Sequence, residues 1–201
     1  MTFVKFCGIT QERDLAVACE LGVQAVGFVL WSGSPRFIEP DRIRSLVKSL
    51  PGDMLPVGVF VQPSVDELEA GIAAGIRVAQ IHGVDPRLLR DDPVSIDRWI
   101  ATSVEADLSM VPPGTTVLLD TQDSQRHGGT GRTIDWAKAA GIATDRRVLL
   151  AGGLTPANVA TAIRQVRPFG VDVSSGIEER PGVKNAHAMR AFVAAVREAD
   201  Q

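Results

Sequence analysis

The chain has 201 residues, 45% of them hydrophobic, enough to bury a full core and ordinary for one domain. Its 21 basic and 24 acidic residues include no basic block and no patch interleaved with aromatics, which excludes the usual nucleic-acid footprint. No apolar run is long enough for a membrane span, Met1-Thr2-Phe3-Val4-Lys5 lacks the form of a signal peptide, and Cys7 and Cys19 make neither a disulfide framework nor a metal motif. A soluble protein of the reducing cytoplasm is expected, with no nucleic-acid or membrane partner.

In chain order, apolar runs rich in β-branched residues mark eight strands: Phe3 to Phe6, Ala25 to Leu30, Leu55 to Val61, Val78 to Ile81, Trp99 to Val104, Thr116 to Leu119, Val148 to Ala151 and Val171 to Val173. Helical spacing separates most of them. Ile43, Leu46, Val47 and Leu50 repeat at i, i+3, i+4, i+7, as do Val159, Ala162, Ile163 and Val166, then Met189, Phe192, Val193 and Val196. Ser64-Val65-Asp66-Glu67 has the form of a capping box, Thr155-Pro156 reads as an N-cap with proline in the first turn, and Gly22, Gly52, Gly75 and Gly141 stand where helices should stop. The fourth and fifth units are weakest, because Asp85 to Asp97 carries two prolines and the stretch after Val104 is irregular.

Strands apolar throughout need cover on both faces, and eight β-then-α units predict a single (β/α)8 TIM barrel over residues 1–201. A doubly wound sheet is the rival. It carries its glycine-rich turn after the first strand, whereas here Ala151-Gly152-Gly153 and Ser174-Ser175-Gly176 follow the last two. Small residues at those two strand ends let backbone N–H groups approach an anion closely, and barrels commonly hold phosphate there. Gly152, Gly153, Ser174, Ser175 and Gly176 are therefore expected to bind the phosphate of a phosphorylated substrate.

The same rule selects Cys7, Arg36, Gln80, His82 and Asp120, which end strands or follow them. Cys7 has two readings, a thiol at the barrel mouth or a small buried hydrophobe; Cys19, beside Leu15 and Ala18, is the latter. Asp120 either caps a turn or acts as an acid whose pKa is raised by an apolar setting. The polar loop from Thr121 to Arg132, with Gly128-Gly129-Thr130-Gly131, is long enough for a lid.

Taken together, Lys5-Phe6-Cys7-Gly8-Ile9-Thr10, Ser34-Pro35-Arg36, Val57-Gly58-Val59-Phe60-Val61, Gln80-Ile81-His82-Gly83, Asp135-Trp136, Ala151-Gly152-Gly153-Leu154 and Asp172-Val173-Ser174-Ser175-Gly176-Ile177-Glu178 resemble the phosphoribosylanthranilate isomerase family of tryptophan biosynthesis. The resemblance spans nearly the whole chain. It implies a cofactor-free, metal-free Amadori rearrangement of an aminoaldose, with a small phosphosugar-anthranilate as the substrate. It further implies Asp120 as general acid, Cys7 as general base, Arg36 as the anthranilate carboxylate ligand and Asp172 as a hydrogen-bond partner of the sugar hydroxyls.

Lys5, two residues before Cys7 and on the same strand face, is either a source of positive potential for the thiol or an interior lysine paired with a carboxylate. His82 with Gln80 reads as a wall residue, His127 as part of the mobile loop and His187 as surface. Departures from the family pattern include Gln62 where asparagine is usual, Ile81 for leucine and Ile134 for phenylalanine. Two rival functions stay open: a histidine-pathway or dual-substrate isomerase, which uses two aspartates where this chain has Cys7, and a barrel that binds a phosphosugar without catalysis. Monomer and homodimer are both compatible with the barrel.

Overall fold

The computed structural model describes residues 1–83, 94–121 and 134–201. Eight parallel strands close on themselves: β1 (Phe3–Cys7), β2 (Ala25–Val29), β3 (Leu55–Val61), β4 (Val78–His82), β5 (Asp97–Thr102), β6 (Thr116–Leu119), β7 (Val148–Leu150) and β8 (Gly170–Val173), with β8 pairing back onto β1. Helices α1 (Glu12–Leu21), α2 (Pro40–Val47), α3 (Val65–Ala73), α4 (Trp136–Ala143), α5 (Val159–Val166) and α6 (Ala186–Ala199) complete the described (β/α) units. Among the described residues, no helix is long and apolar enough to cross a membrane.

Strand alternation divides the core in two. Inside the barrel, Ala25, Val57, Val78, Trp99, Leu118 and Leu149 pack together with Phe3 and Leu55. Outward, Val4, Phe6, Val26, Phe28, Val117, Leu150 and Val171 meet the helices. Helix α6 buries Met189, Phe192, Val193 and Val196, and Phe192 lies edge-on to Phe6 with ring centroids 6.2 Å apart. Each such side chain contributes roughly 1.5–3 kcal/mol relative to an exposed one, so this face alone outweighs any cap on the helix.

Local signals act as expected at several ends. Gly22 takes a left-handed φ of 67° and its N–H closes α1 on Ala18 and Cys19, while Ser64 and Glu67 form a reciprocal capping box on α3. Three expectations fail. Gly141 lies inside α4 instead of ending it, since Ala139 and its neighbours pack well enough to carry one glycine. Thr155-Pro156 forms a separate turn and the regular helix begins at Val159, because the Asn158 carboxamide accepts from the Thr155 N–H (2.8 Å) and donates to the Gly153 carbonyl (3.0 Å). Between β5 and β6 no helix forms among the described residues, so the fifth of the eight expected units lacks its helix, at the irregular stretch after Val104. The fourth unit's connection falls largely on residues 84–93, and the expected lid with His127 on residues 122–133; both lie outside the described residues.

Beyond β8 the chain adds a 3-10 turn at Ser175–Ile177 and a hairpin, β9 (Glu178–Arg180) and β10 (Val183–Lys184), reversed at Gly182 with φ 79°. This hairpin folds across the end of β1. The Thr10 hydroxyl donates to the Gly182 carbonyl, and the Lys184 N–H donates to the buried Asp14 carboxylate at 2.9 Å.

Candidate active site

Cys7 ends β1, with its Cα in register with Gly27 of β2. A Cβ on Gly27 would stand 3.0 Å from both the Cys7 Sγ and the Lys5 Nζ, so the missing side chain is what leaves room for thiol and ammonium together. Lys5 is completely buried and its Nζ lies 2.7 Å from Asp172 Oδ1, on the neighbouring strand β8. Burial works against the Lys5 charge, yet Asp172 and Cys7 outweigh it and hold the lysine above its ordinary pKa. Of the two readings of Lys5, both apply: it is paired with a carboxylate and it also faces the thiol.

At the thiol, by contrast, burial wins. Burial raises the Cys7 pKa above its ordinary value, against the pull of Lys5 and Lys184, because Val29, Val59 and Trp31 surround it with apolar surface. Burial thus opposes the thiolate of Cys7, and the two lysines offset part of that penalty.

Asp120 follows Leu119 directly. Leu118 points into the barrel, so by alternation the carboxyl two residues on does as well, at the mouth. Burial raises its pKa from 3.8 to about 6; two hydrogen bonds from Thr121, its N–H at 2.7 Å and its hydroxyl at 3.3 Å, moderate the rise, as does Lys5, while Asp172 adds to it. Both Thr121 bonds fall on Oδ1, which leaves the proton to Oδ2. Asp120 and Cys7 thus sit in the field of the same buried pair, Lys5 and Asp172.

Arg36 lies in the loop after β2. A turn from Ser34 to Phe37 and a bridge from Phe37 back to Val29 fix that loop, and the Ser34 hydroxyl accepts from the Arg36 N–H at 3.1 Å. Its aliphatic stem passes over Gly8: a Cβ there would meet Arg36 Cδ at 2.6 Å and Ser174 Oγ at 3.2 Å. Gly8, with φ 74°, therefore brings Arg36 against both the end of β1 and the loop after β8. The guanidinium Nε and Nη2 donate to Glu178 Oε1 and Oε2 at 2.9 and 2.7 Å.

The two glycine- and serine-rich loops touch. Gly152 and Gly153 both have left-handed φ, 76° and 68°, and a Cβ on Gly176 would lie 1.9 Å from the Leu154 carbonyl oxygen. Gly153, Ser174, Ser175 and Gly176 are each partly accessible at the C-terminal end of β7 and β8. Such a surface of close-set backbone with few side chains is suited to a phosphate.

On β4, Gln80 and His82 are buried with Gln80 Nε2 and His82 Nε2 2.9 Å apart. The two side chains are engaged with each other along the strand, as suits a wall residue. His187 is exposed on α6, and Cys19 packs against the core beneath α1. A cavity of about 550 Å³ at the opposite end of the barrel, lined by Phe3, Leu55, Arg98, Trp99 and Arg147 among others, contains none of the strand-end residues above. The C-terminal mouth, where barrel loops carry chemistry, is the candidate site.

A family model described as N-(5′-phosphoribosyl)anthranilate (PRA) isomerase matches residues 4–195. The chain belongs to the phosphoribosylanthranilate isomerase family. Among its relatives, the N-(5′-phosphoribosyl)anthranilate isomerase of Pelobacter propionicus is 39% identical over a 206-residue alignment covering 98% of this chain and 97% of the relative. The crystal structure of phosphoribosyl anthranilate isomerase from Thermus thermophilus superposes with a TM-score of 0.87 at 34% identity, covering 98% of this chain and 99% of the other. Another phosphoribosyl anthranilate isomerase, solved in complex with reduced 1-(o-carboxyphenylamino)-1-deoxyribulose 5-phosphate, gives a TM-score of 0.84 at 32% identity, covering 98% of this chain and 100% of the other.

Sequence reasoning about this isomerase-family chain missed three residues. Gly27 reads as an ordinary strand glycine until its Cβ position is seen to be filled by Lys5 and Cys7. The sequence gives Glu178 and Lys184 no role, but both side chains are buried and 2.8 Å apart. A charged residue inside an otherwise apolar close, as in Gly182-Val183-Lys184, was the available signal.

Proposed function

We propose that this chain, as one barrel domain, converts N-(5-phosphoribosyl)anthranilate into 1-(o-carboxyphenylamino)-1-deoxyribulose 5-phosphate by an Amadori rearrangement that needs neither metal nor cofactor. The observation that carries the mechanism is the buried Lys5–Asp172 pair inside the barrel, whose field reaches both the Cys7 thiol at the end of β1 and the Asp120 carboxyl just past β6, with burial raising the pKa of that carboxyl to about 6. Asp120 delivers its proton to the furanose ring oxygen as the C1′–O bond breaks, and the anilino nitrogen lone pair forms the Schiff base. Cys7 then takes the C2′ proton as thiolate. The electron pair of that C–H bond becomes the C1′–C2′ double bond of an enolamine, which tautomerises to the ketose.

Formation of the cationic Schiff base acidifies C2′–H, and Lys5 beside the thiol stabilises the thiolate against the burial that opposes it. Gly152, Gly153, Ser174, Ser175 and Gly176 hold the phosphate. Arg36 offers the substrate carboxylate the guanidinium edge that Glu178 leaves open, since a planar fork has five N–H donors and Glu178 takes two. Asp172 is committed to Lys5, and its second oxygen is left for a sugar hydroxyl. A reducing cytoplasm, which keeps Cys7 a free thiol, suits this chemistry, and either a monomer or a homodimer could perform it.

The test is loss of anthranilate fluorescence when purified, chelator-treated protein meets the substrate, with no nucleotide added. Turnover supports the proposal; folded protein without turnover overturns it. Cys7→Ala and Asp120→Asn should each lower kcat far more than they raise KM, because the steps they serve are chemical ones.

A further inference from the structure

Four groups are linked without interruption from the substrate-facing guanidinium to the backbone of the base. Arg36 donates twice to Glu178; Lys184 Nζ lies 2.8 Å from Glu178 Oε1, 2.6 Å from the Cys7 carbonyl and 3.2 Å from the Ser174 carbonyl. The Gly182 N–H adds a bond to Glu178 Oε1 at 3.2 Å. An ammonium has three protons to donate, and these three oxygens accept them, which offsets part of the burial that lowers the Lys184 pKa. We infer that Glu178 is a positioning residue: with Lys184 behind it, it fixes the plane of the Arg36 guanidinium and so sets the preference for a substrate bearing an ortho carboxylate. The inference rests on the proposed isomerase activity.

Physical chemistry supports this beyond proximity. The Glu178 carboxylate is held below its ordinary pKa, since Arg36 and Lys184 overcome the penalty of its burial. It is therefore an acceptor throughout the neutral range and orients Arg36 in a single plane. Without it, the guanidinium would keep its charge but lose its orientation, and Lys184 would lose the counter-charge that holds it against the Cys7 and Ser174 carbonyls. The hairpin β9–β10 exists, in these terms, to bring two charged side chains to the back of the mouth.

The experiment compares N-(5-phosphoribosyl)anthranilate with N-(5-phosphoribosyl)aniline, which lacks the carboxylate, in wild type, Arg36→Ala and Glu178→Gln. In Glu178→Gln, KM for the anthranilate substrate is expected to rise about tenfold or more with kcat within a few-fold, and the preference over the aniline substrate to collapse to that of Arg36→Ala. Wild-type preference retained in Glu178→Gln overturns the inference. Equal loss on both substrates overturns it too, because that is what a merely structural role would give. If Glu178→Gln does not fold, Glu178→Asp, which keeps the charge beside Lys184 but shortens the reach to Arg36, carries the same comparison with the same two outcomes. Wild-type protein inactive on the anthranilate substrate is a different result, and it removes the isomerase proposal instead.

Discussion

Lys5 and Asp172 are register partners on β1 and β8, and their side chains meet inside the barrel at 2.7 Å. A charge so deeply buried is tolerated only while its partner stays. Asp172→Ala leaves the ammonium uncompensated and should destabilise the fold by about 3–5 kcal/mol, measured by urea unfolding. Replacing both, as Lys5→Met with Asp172→Leu, should cost less than the single change. A double variant as unstable as the sum of its singles would show that the two do not act as a unit.

Asp120 carries the opposite sign of linkage from most carboxylates. Its folded pKa of about 6 lies above the unfolded value near 3.9, so the folded state holds the extra proton between those values and stability falls as pH rises through them. About two units correspond to about 3 kcal/mol at most, less where solvent reaches the carboxyl at the mouth. Asp120→Asn should therefore be more stable than wild type at pH 7–8, with the advantage gone below about pH 4, while kcat falls on the order of a hundredfold or more. Thermal melts across pH check the first part; identical melts at pH 7.5 would mean the carboxyl is not strained there.

Gly176 admits no side chain. A methyl group would sit 1.9 Å from the Leu154 carbonyl oxygen and 3.0 Å from its carbon, both backbone atoms that cannot swing aside. Gly176→Ala should push the loop after β7 away from that after β8 and raise KM for the phosphorylated substrate, with the inhibition constant of inorganic phosphate rising in parallel. Unchanged phosphate inhibition would separate these loops from anion binding.

Gln62 takes a left-handed φ of 46°, which costs a residue with a long side chain more than it costs asparagine or glycine. Its N–H still bonds the His82 carbonyl at 3.0 Å, a bond any residue but proline can make. Gln62→Asn should stabilise the protein by about 0.5–1 kcal/mol, raising Tm by roughly 1–4 °C. A lower Tm would show that the Gln62 amide bond to the Gly83 carbonyl, 2.8 Å, outweighs the strain.

This position illustrates what could be read from residues alone. Gln62 stood out as a departure from an asparagine pattern, but only the backbone angle gives the departure an energy. The barrel was legible because eight apolar runs and their separating helices are local patterns, each set within a dozen residues. The two small-residue loops were legible for a similar reason, being paired at the ends of the last strands. By contrast Arg36 and Glu178 are 142 positions apart, and nothing near either one announces the other. The hairpin at Glu178–Lys184 was invisible because its charges find their partners, Arg36 and the Cys7 carbonyl, far away along the chain, and Gly141 misled because a glycine inside a packed helix looks, in isolation, like a stop.

Thr2 gives both its N–H and its hydroxyl to the Asp200 carboxylate, at 2.8 and 2.6 Å. The entry to the first strand and the exit of the last helix are thus tied directly to each other. Joining Thr2 to Asp200 through a short glycine-serine segment and opening new termini at the exposed turn around Gly52 should give a permuted protein with the same eight staves in the same order around the cask.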